Sequence, residues 1–214
     1  NNILTVKTKI RKFNGEINIK PFFLSSNLNL NEIEINKFFK NNSILVNLLK
    51  SEILNNKNFN GKISISAKNL KDLKNINEIK FDIQFEEGIV LITNLKFIFK
   101  NSVIFDINDV NLIVDNNKLK FIGDFNMKFI DINNFYSHFQ IKRNYRKNIK
   151  QISSNFLFNL DDGLLEFNDL KINNNDNQAS RQYLKKFNSE KKDILNKIIF
   201  RNSVKDFFKK ISLD

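Results

Sequence analysis

The chain has no cysteine and no tryptophan, one proline, one histidine and five glycines in 214 residues. Each shortage removes a class of chemistry. Without cysteine there is no disulfide, no thiolate metal site and no cysteine nucleophile. One histidine, His138, cannot make a multi-histidine zinc site. The five glycines fall where turns and bends are expected, which leaves no glycine-rich phosphate loop, and neither HExxH nor GxSxG occurs. No uncharged apolar run approaches the ~18–20 residues of a membrane-crossing helix. The chain opens on Asn-Asn, with no basic segment leading into an apolar one, so no signal peptide is visible and a piece of a longer protein is expected.

What is abundant is equally lopsided. There are 39 Asn, 30 Lys and 23 Phe, and the net charge is +12. Asn, Lys, Ile and Phe are the residues of A- and T-rich codons, so part of this bias belongs to the coding sequence. The charge favours anionic partners: nucleic acid, anionic lipid head groups or acidic proteins. With 41% apolar and 27% charged residues the chain is able to bury a core.

Alternation dominates the pattern. Ile63, Ile65 and Ala67 alternate with polar residues, as do Ile79, Phe81, Ile83 and Phe85. Ile89, Leu91, Leu95, Phe97 and Phe99 share one parity, followed by Val103, Phe105 and Ile107, then Val110, Leu112 and Val114. Leu119, Phe121, Phe125, Met127 and Phe129 continue it, and Phe156, Phe158, Leu160, Leu165, Phe167, Leu170 and Ile172 close it. A period of two over so many segments predicts half-buried antiparallel strands. Gly15, Gly61, Gly88 and Gly163 follow Asn14, Asn60, Glu87 and Asp162, a spacing that predicts hairpin turns; Asn116-Asn117 is a further turn candidate and Gly123 marks a bulge or bend. The expected fold is mainly β: a twisted antiparallel meander of seven to ten strands with flanking helices at its edge or end.

Three stretches depart from period two. Ile35, Phe38, Phe39, Leu45, Val46, Leu49 and Ile53 predict an amphipathic helix near 35–54. Asp131–Lys150 predicts a second, with Phe135, Phe139, Tyr145 and Ile149 on one side and Asp131 or Asn133 as its cap. One or two helices are expected after Gln178, ending in the stripe Val204, Phe207, Phe208 and Ile211, which either packs on the sheet or lies on a membrane. The division expected is a sheet domain over 1–175 and a helical segment over 176–214.

Candidate chemistry is sparse. His138 has no Ser or Asp partner placed by spacing, and Asp161-Asp162 before Gly163 reads as a turn rather than a metal pair. No enzymatic centre, metal or cofactor is expected. Lys142, Arg143, Arg146 and Lys147 are a basic cluster suited to anionic head groups or to a solvated helix face. Nucleic acid is not expected, because the aromatics lie on the apolar parity rather than among the charges. A wide sheet with one apolar face must close, stack on a second sheet, or stay open as a groove.

Four phrases, LNEIEINKFF at Leu30–Phe39, NGKISIS at Asn60–Ser66, DINNFYSHF at Asp131–Phe139 and NLDDGLLEFNDLKI at Asn159–Ile172, resemble the C-terminal region of the AsmA-like family. This family is related to the TamB and YhdP group of bacterial envelope proteins. The resemblance covers roughly residues 25–175; glycine poverty and the basic C-terminal helices depart from it. It implies a sheet curled into a trough with an apolar inner wall, and a periplasmic protein anchored to the inner membrane by a segment outside this chain. It further implies phospholipid or another acyl lipid as partner, a membrane surface nearby, and a part in outer-membrane integrity. The inner wall would comprise Ile63, Ile65, Phe81, Ile83, Phe85, Leu95, Phe97, Phe99, Phe105, Phe121, Phe125, Phe156 and Phe158. The rival expectation is a structural or assembly factor of the envelope with a closed β core and no lipid cargo.

Overall fold

A computed structural model describes residues 10–19, 22–34, 43–71, 74–176 and 178–212. Nine strands form one open sheet in chain order: β1 (Ile10–Ile19), β2 (Phe22–Ile33), β3 (Asn60–Leu70), β4 (Ile76–Glu86), β5 (Ile89–Phe99), β6 (Val103–Asp115), β7 (Lys118–Phe129), β8 (Gln151–Asn159) and β9 (Leu164–Ile172). The sheet is mixed and does not close into a barrel. Among the described residues four α-helices flank it: α1 (Ile44–Lys50), α2 (Ile132–Phe139), α3 (Gln178–Glu190) and α4 (Lys197–Ile211).

The expected all-antiparallel meander needs one correction, since β2 and β3 run parallel, Phe23 opposite Asn60 through Ile33 opposite Leu70. The connection over 34–59 carries the chain from one end of the sheet to the other, so β3 starts beside the start of β2. Alternation reports which residues face inward and carries no strand direction. The other seven pairs are antiparallel.

Turns are built from asparagine more than from glycine. Lys100–Asn101, Asn116–Asn117 and Asn173–Asn174 all hold two consecutive positive-φ residues, and Glu87–Gly88 does the same. This is the backbone of type I′ turns, whose twist matches that of the strands, and Asn tolerates it better than most residues. Gly88 and Gly163 turn as expected, but Gly15 and Gly61 lie inside β1 and β3.

Bulges shift the parity. Asn94 in β5 and Asp109 in β6 have positive φ. As a result Val90 and Ile92 are buried before the bulge while Ile89 is exposed, a correction to the reading that put Ile89 and Leu91 inside. After the bulge Leu95, Phe97 and Phe99 face inward beside Ile107, Phe105 and Val103. Gly123 sits where the bulged β6 comes close: a Cβ there would lie 3.0 Å from the Cα of Val110.

The helical expectations are also revised. In the first region α1 covers Ile44–Lys50, capped by Ser43, and Ile53 falls in a 3-10 turn; Ile35, Phe38 and Phe39 lie outside the described residues. The second helix stops at Phe139 instead of Lys150. Asp131 caps its start, and Gln140 takes a left-handed conformation at its end. Beyond it Ile141 and Ile149 are both buried, and the Tyr136 hydroxyl donates to the Lys147 carbonyl at 2.6 Å. The basic stretch is thus strapped down as an extended loop with a 3-10 turn at Arg143–Tyr145.

Two clusters make the core. One gathers β3–β7 with Val46 and Leu49 of α1. The other gathers the opposite strand ends with Phe135, Tyr136 and Phe139 of α2 and Phe207, Phe208 and Ile211 of α4. The C-terminal stripe therefore packs within the chain, and the region forms two helices. α3 lies along β9, where the Asn188 side chain bonds both backbone groups of Phe167, accepting from its N–H at 3.1 Å and donating to its carbonyl at 2.9 Å.

Candidate functional site

All thirteen candidate wall residues lie on one face of the sheet. Register brings them together: Gly61 faces Phe85, Ile63 faces Ile83, Ile65 faces Phe81, Phe97 faces Phe105, Ile107 faces Phe125, and Phe121 faces Phe158. Phe97 and Phe105 stack at 4.6 Å, and Phe125 contacts Phe167 edge-on at 5.4 Å.

Burial divides the thirteen. Phe81, Phe85 and Phe121 are buried, Phe85 against Phe59 at 5.4 Å. Phe99 lies under α2, within 6.2 Å of Phe135 and 5.9 Å of Phe139. The remaining nine are half-buried: Ile63, Ile65, Ile83, Leu95, Phe97, Phe105, Phe125, Phe156 and Phe158. They form a belt across the middle of the apolar face. The α1 segment closes it at the end of the β4–β5 and β8–β9 turns; α2 and α4 close it at the other.

The belt also takes in Ile107 and, from β2, Leu24, Leu28 and Leu30, which were not among the candidates. Leu24 faces Gly61, Leu28 faces Ile65 and Leu30 faces Ala67. Their alternation is present in the sequence, but Ser26 interrupts it on the same parity, and Ser26 is buried.

The closure at the α1 end is partly electrostatic. Asp161 pairs with Lys50 and accepts the Leu119 N–H at 2.9 Å, while Asp162 accepts from Lys118 at 2.8 Å. Burial alone would raise the Asp161 carboxyl. The Lys50 ammonium, the Leu119 amide and the Lys118 charge outweigh it and hold the group below its ordinary value. Both aspartates are engaged by lysines in a turn.

His138 lies against the rings of Phe99 and Phe139 at 5.2 and 4.9 Å. Burial, with the Lys100 and Arg201 charges, pushes its imidazole down. Its neighbours are rings and cations, a setting that holds the ring neutral near pH 7. Among the described residues no group of three or more His, Asp or Glu side chains is arranged to hold a metal.

Of the basic cluster, Lys142, Arg143 and Lys147 are exposed on the loop after α2. Arg146 is committed to the fold: its Nε donates to the Ile141 carbonyl at 3.0 Å and its guanidinium lies 5.8 Å from the Tyr136 ring centre. The Tyr136 hydroxyl is pushed up to about 12 by burial.

The opposite face is mixed: Ile89, Ile113 and Ile122 are exposed on it, among charged and amide side chains that pair across the strands. Lys62 pairs with Asp82 at 2.9 Å, Lys96 with Asp106 at 3.3 Å, and Asn155 donates to Asp124 at 2.6 Å. Two clefts of about 560 and 260 Å³ open on this face, lined largely by Asn, Ser, Asp and Lys. Within them Ser66 donates to Asn29 at 2.5 Å, Asn94 to Asp82 at 2.8 Å and Asn155 to Asp124.

No family model, curated protein or solved structure matches the chain. No helix among the described residues is long and apolar enough to cross a membrane.

Proposed function

We propose that this chain is a non-enzymatic, AsmA-like lipid-binding module of a bacterial envelope, holding the acyl chains of a phospholipid on the half-buried belt. One observation carries the reading: an aliphatic and aromatic belt crosses the open sheet between two helical closures, and its side chains are left half-buried by the described residues. Each methylene that leaves water for such a surface gains about 0.8 kcal/mol. A head group stays hydrated at the open side, with Lys142, Arg143 and Lys147 available to its phosphate. Holding a lipid this way requires no covalent step, and a periplasmic place with a part in outer-membrane integrity follows from the family resemblance.

Native mass spectrometry of the gently extracted chain tests it. Co-purified phospholipid is expected, and Phe97→Asp should deplete the adduct while a second variant, Lys62→Ala on the opposite face, keeps it. Absence of lipid from the folded chain sinks the reading. The rival, an envelope assembly factor without cargo, draws on a specific feature: the two clefts are lined mainly by polar side chains, with Ile65, Phe81 and Phe125 their sole wall residues.

A further inference from the structure

The helix α4 is longer than the surface it packs on. Its second half supplies the buried Ser203, Phe207, Phe208 and Ile211. Its first turns and the residues before them, though anchored beside Gly163 by the Ile194 N–H, present exposed apolar side chains: Leu195 is 59% exposed, Ile198 71% and Phe200 43%. Asn196 caps this overhang, its side chain accepting the N–H groups of Ile198 and Ile199. Phe200 touches Phe139 at 6.1 Å and Arg201 donates to the His138 carbonyl at 3.3 Å, which ties the overhang to α2.

Between Leu195 and Lys205 the charged residues are Lys197, Arg201 and Lys205, with no acid among them. Successive helical residues turn by ~100°, so Ile198, Ile199 and Phe200 spread over about 200° of the helix circumference. A protein groove covers one side of a helix. An apolar segment that faces several directions and carries only cations between Leu195 and Lys205, with Asp193 and Asp206 just outside those bounds, suits a bilayer interface, which surrounds whatever enters it.

We propose that the Leu195–Arg201 overhang is a membrane-docking element that inserts its apolar side chains at an anionic bilayer surface, with Lys197 and Arg201 at the head groups. Apolar burial and cation attraction act together at such an interface. The stripe Val204, Phe207, Phe208 and Ile211, a membrane candidate on sequence grounds, is committed to the core and leaves this role to the exposed turns before it. Docking goes beyond the lipid-cargo reading and does not depend on it.

Vesicle co-sedimentation of the full chain tests the proposal, with phosphatidylcholine vesicles containing or lacking phosphatidylglycerol, at low and high salt. The intact chain should pellet with the anionic vesicles, less so in high salt. Leu195→Ser with Ile198→Ser should lower the partition coefficient at least tenfold, and Lys197→Glu a few-fold, both with an unchanged unfolding midpoint. Binding that survives the double substitution overturns the proposal, as does failure of the intact chain to pellet or equal, salt-insensitive binding to neutral vesicles. Self-association that the double substitution abolishes, without vesicle binding, would assign the patch to a second copy and likewise overturn it. Cargo is read separately: the double variant should keep any lipid seen by native mass spectrometry, so either reading fails without the other.

Discussion

The two ends of the sheet are closed by different means. At one end α1 contributes Val46 and Leu49 to a largely strand-built cluster, and an ion pair from Lys50 to Asp161 holds it across to the β8–β9 turn. At the other, α2 and α4 interlock through rings: Phe208 meets Phe135 at 5.7 Å and Tyr136 at 5.0 Å, and Phe207 meets Tyr183 at 5.1 Å. Ring-on-ring packing in a filled interior is hard to part without exposing several aromatics together. Among the described side chains the seven-residue helix contributes two buried ones and one ion pair, a smaller set than the ring cluster. The lesson is a division of labour: the described contacts at the aromatic end outweigh those at the α1 end, which makes the α1 end the one expected to yield first.

Substitutions that probe each end break the comparison most directly. Phe208→Ala should cost about 4 kcal/mol in denaturant unfolding, because a buried ring is removed from a filled site. Leu49→Ala should cost about 2 kcal/mol, with faster amide exchange confined to α1 and the β8–β9 turn. Equal costs and global exchange in both variants would show that the ends are one cooperative unit.

Tyr136→Phe sharpens the aromatic end. The Tyr136 hydroxyl donates to the Lys147 carbonyl and accepts the Lys147 N–H at 3.2 Å. Losing it should cost about 1–2 kcal/mol and release the basic loop, visible as faster exchange over 142–148. An unmoved loop would mean that Ile141 and Ile149 suffice to hold it.

The smallest effect is in pH. His138 is held down by burial and by Lys100 and Arg201, so its neutral form belongs to the folded state. Its contribution is whole above the unfolded value of about 6.5 and is lost as pH falls through the lower folded value. Asp161 is also held down, so its contribution is whole above about 3.9 and disappears only in stronger acid. Acid unfolding should therefore weaken the His138 end first. His138→Gln should flatten the upper step and Asp161→Asn the lower one; a single step unmoved by either would refute the assignment.

Much of the fold was legible in the chain because period two is a direct projection of burial. The parity of Phe81, Phe85, Phe121, Phe156 and Phe158 placed them on one face, as the register shows. Three features were not legible, each for a physical reason. Strand direction at β2–β3 depends on a connection that alternation does not describe. The inward turn of Val90 and Ile92 depends on the bulge at Asn94, whose left-handed backbone is one of many that Asn adopts here. The end of α2 at Phe139 was hidden because Tyr145 and Ile149 continue a helical spacing, while the Tyr136 hydroxyl holds the backbone at Lys147 in another path. For the candidate site, sequence named most of the belt but could not tell which members the helices cover.

The amide of Asn188 has a consequence for growth. By occupying both backbone groups of Phe167 it saturates part of the free margin of β9, and the Ile194 N–H takes up the Gly163 carbonyl beside it at 2.9 Å. At the opposite margin β1 pairs with β2, and among the described residues nothing lies along its other side. An unpaired margin is a template for a further strand, and a saturated one is not. Among the described residues the sheet therefore has one margin partly capped and one whose backbone groups are open to pairing. A further strand, whatever polypeptide supplies it, would find such groups along β1 and none at Phe167 of β9.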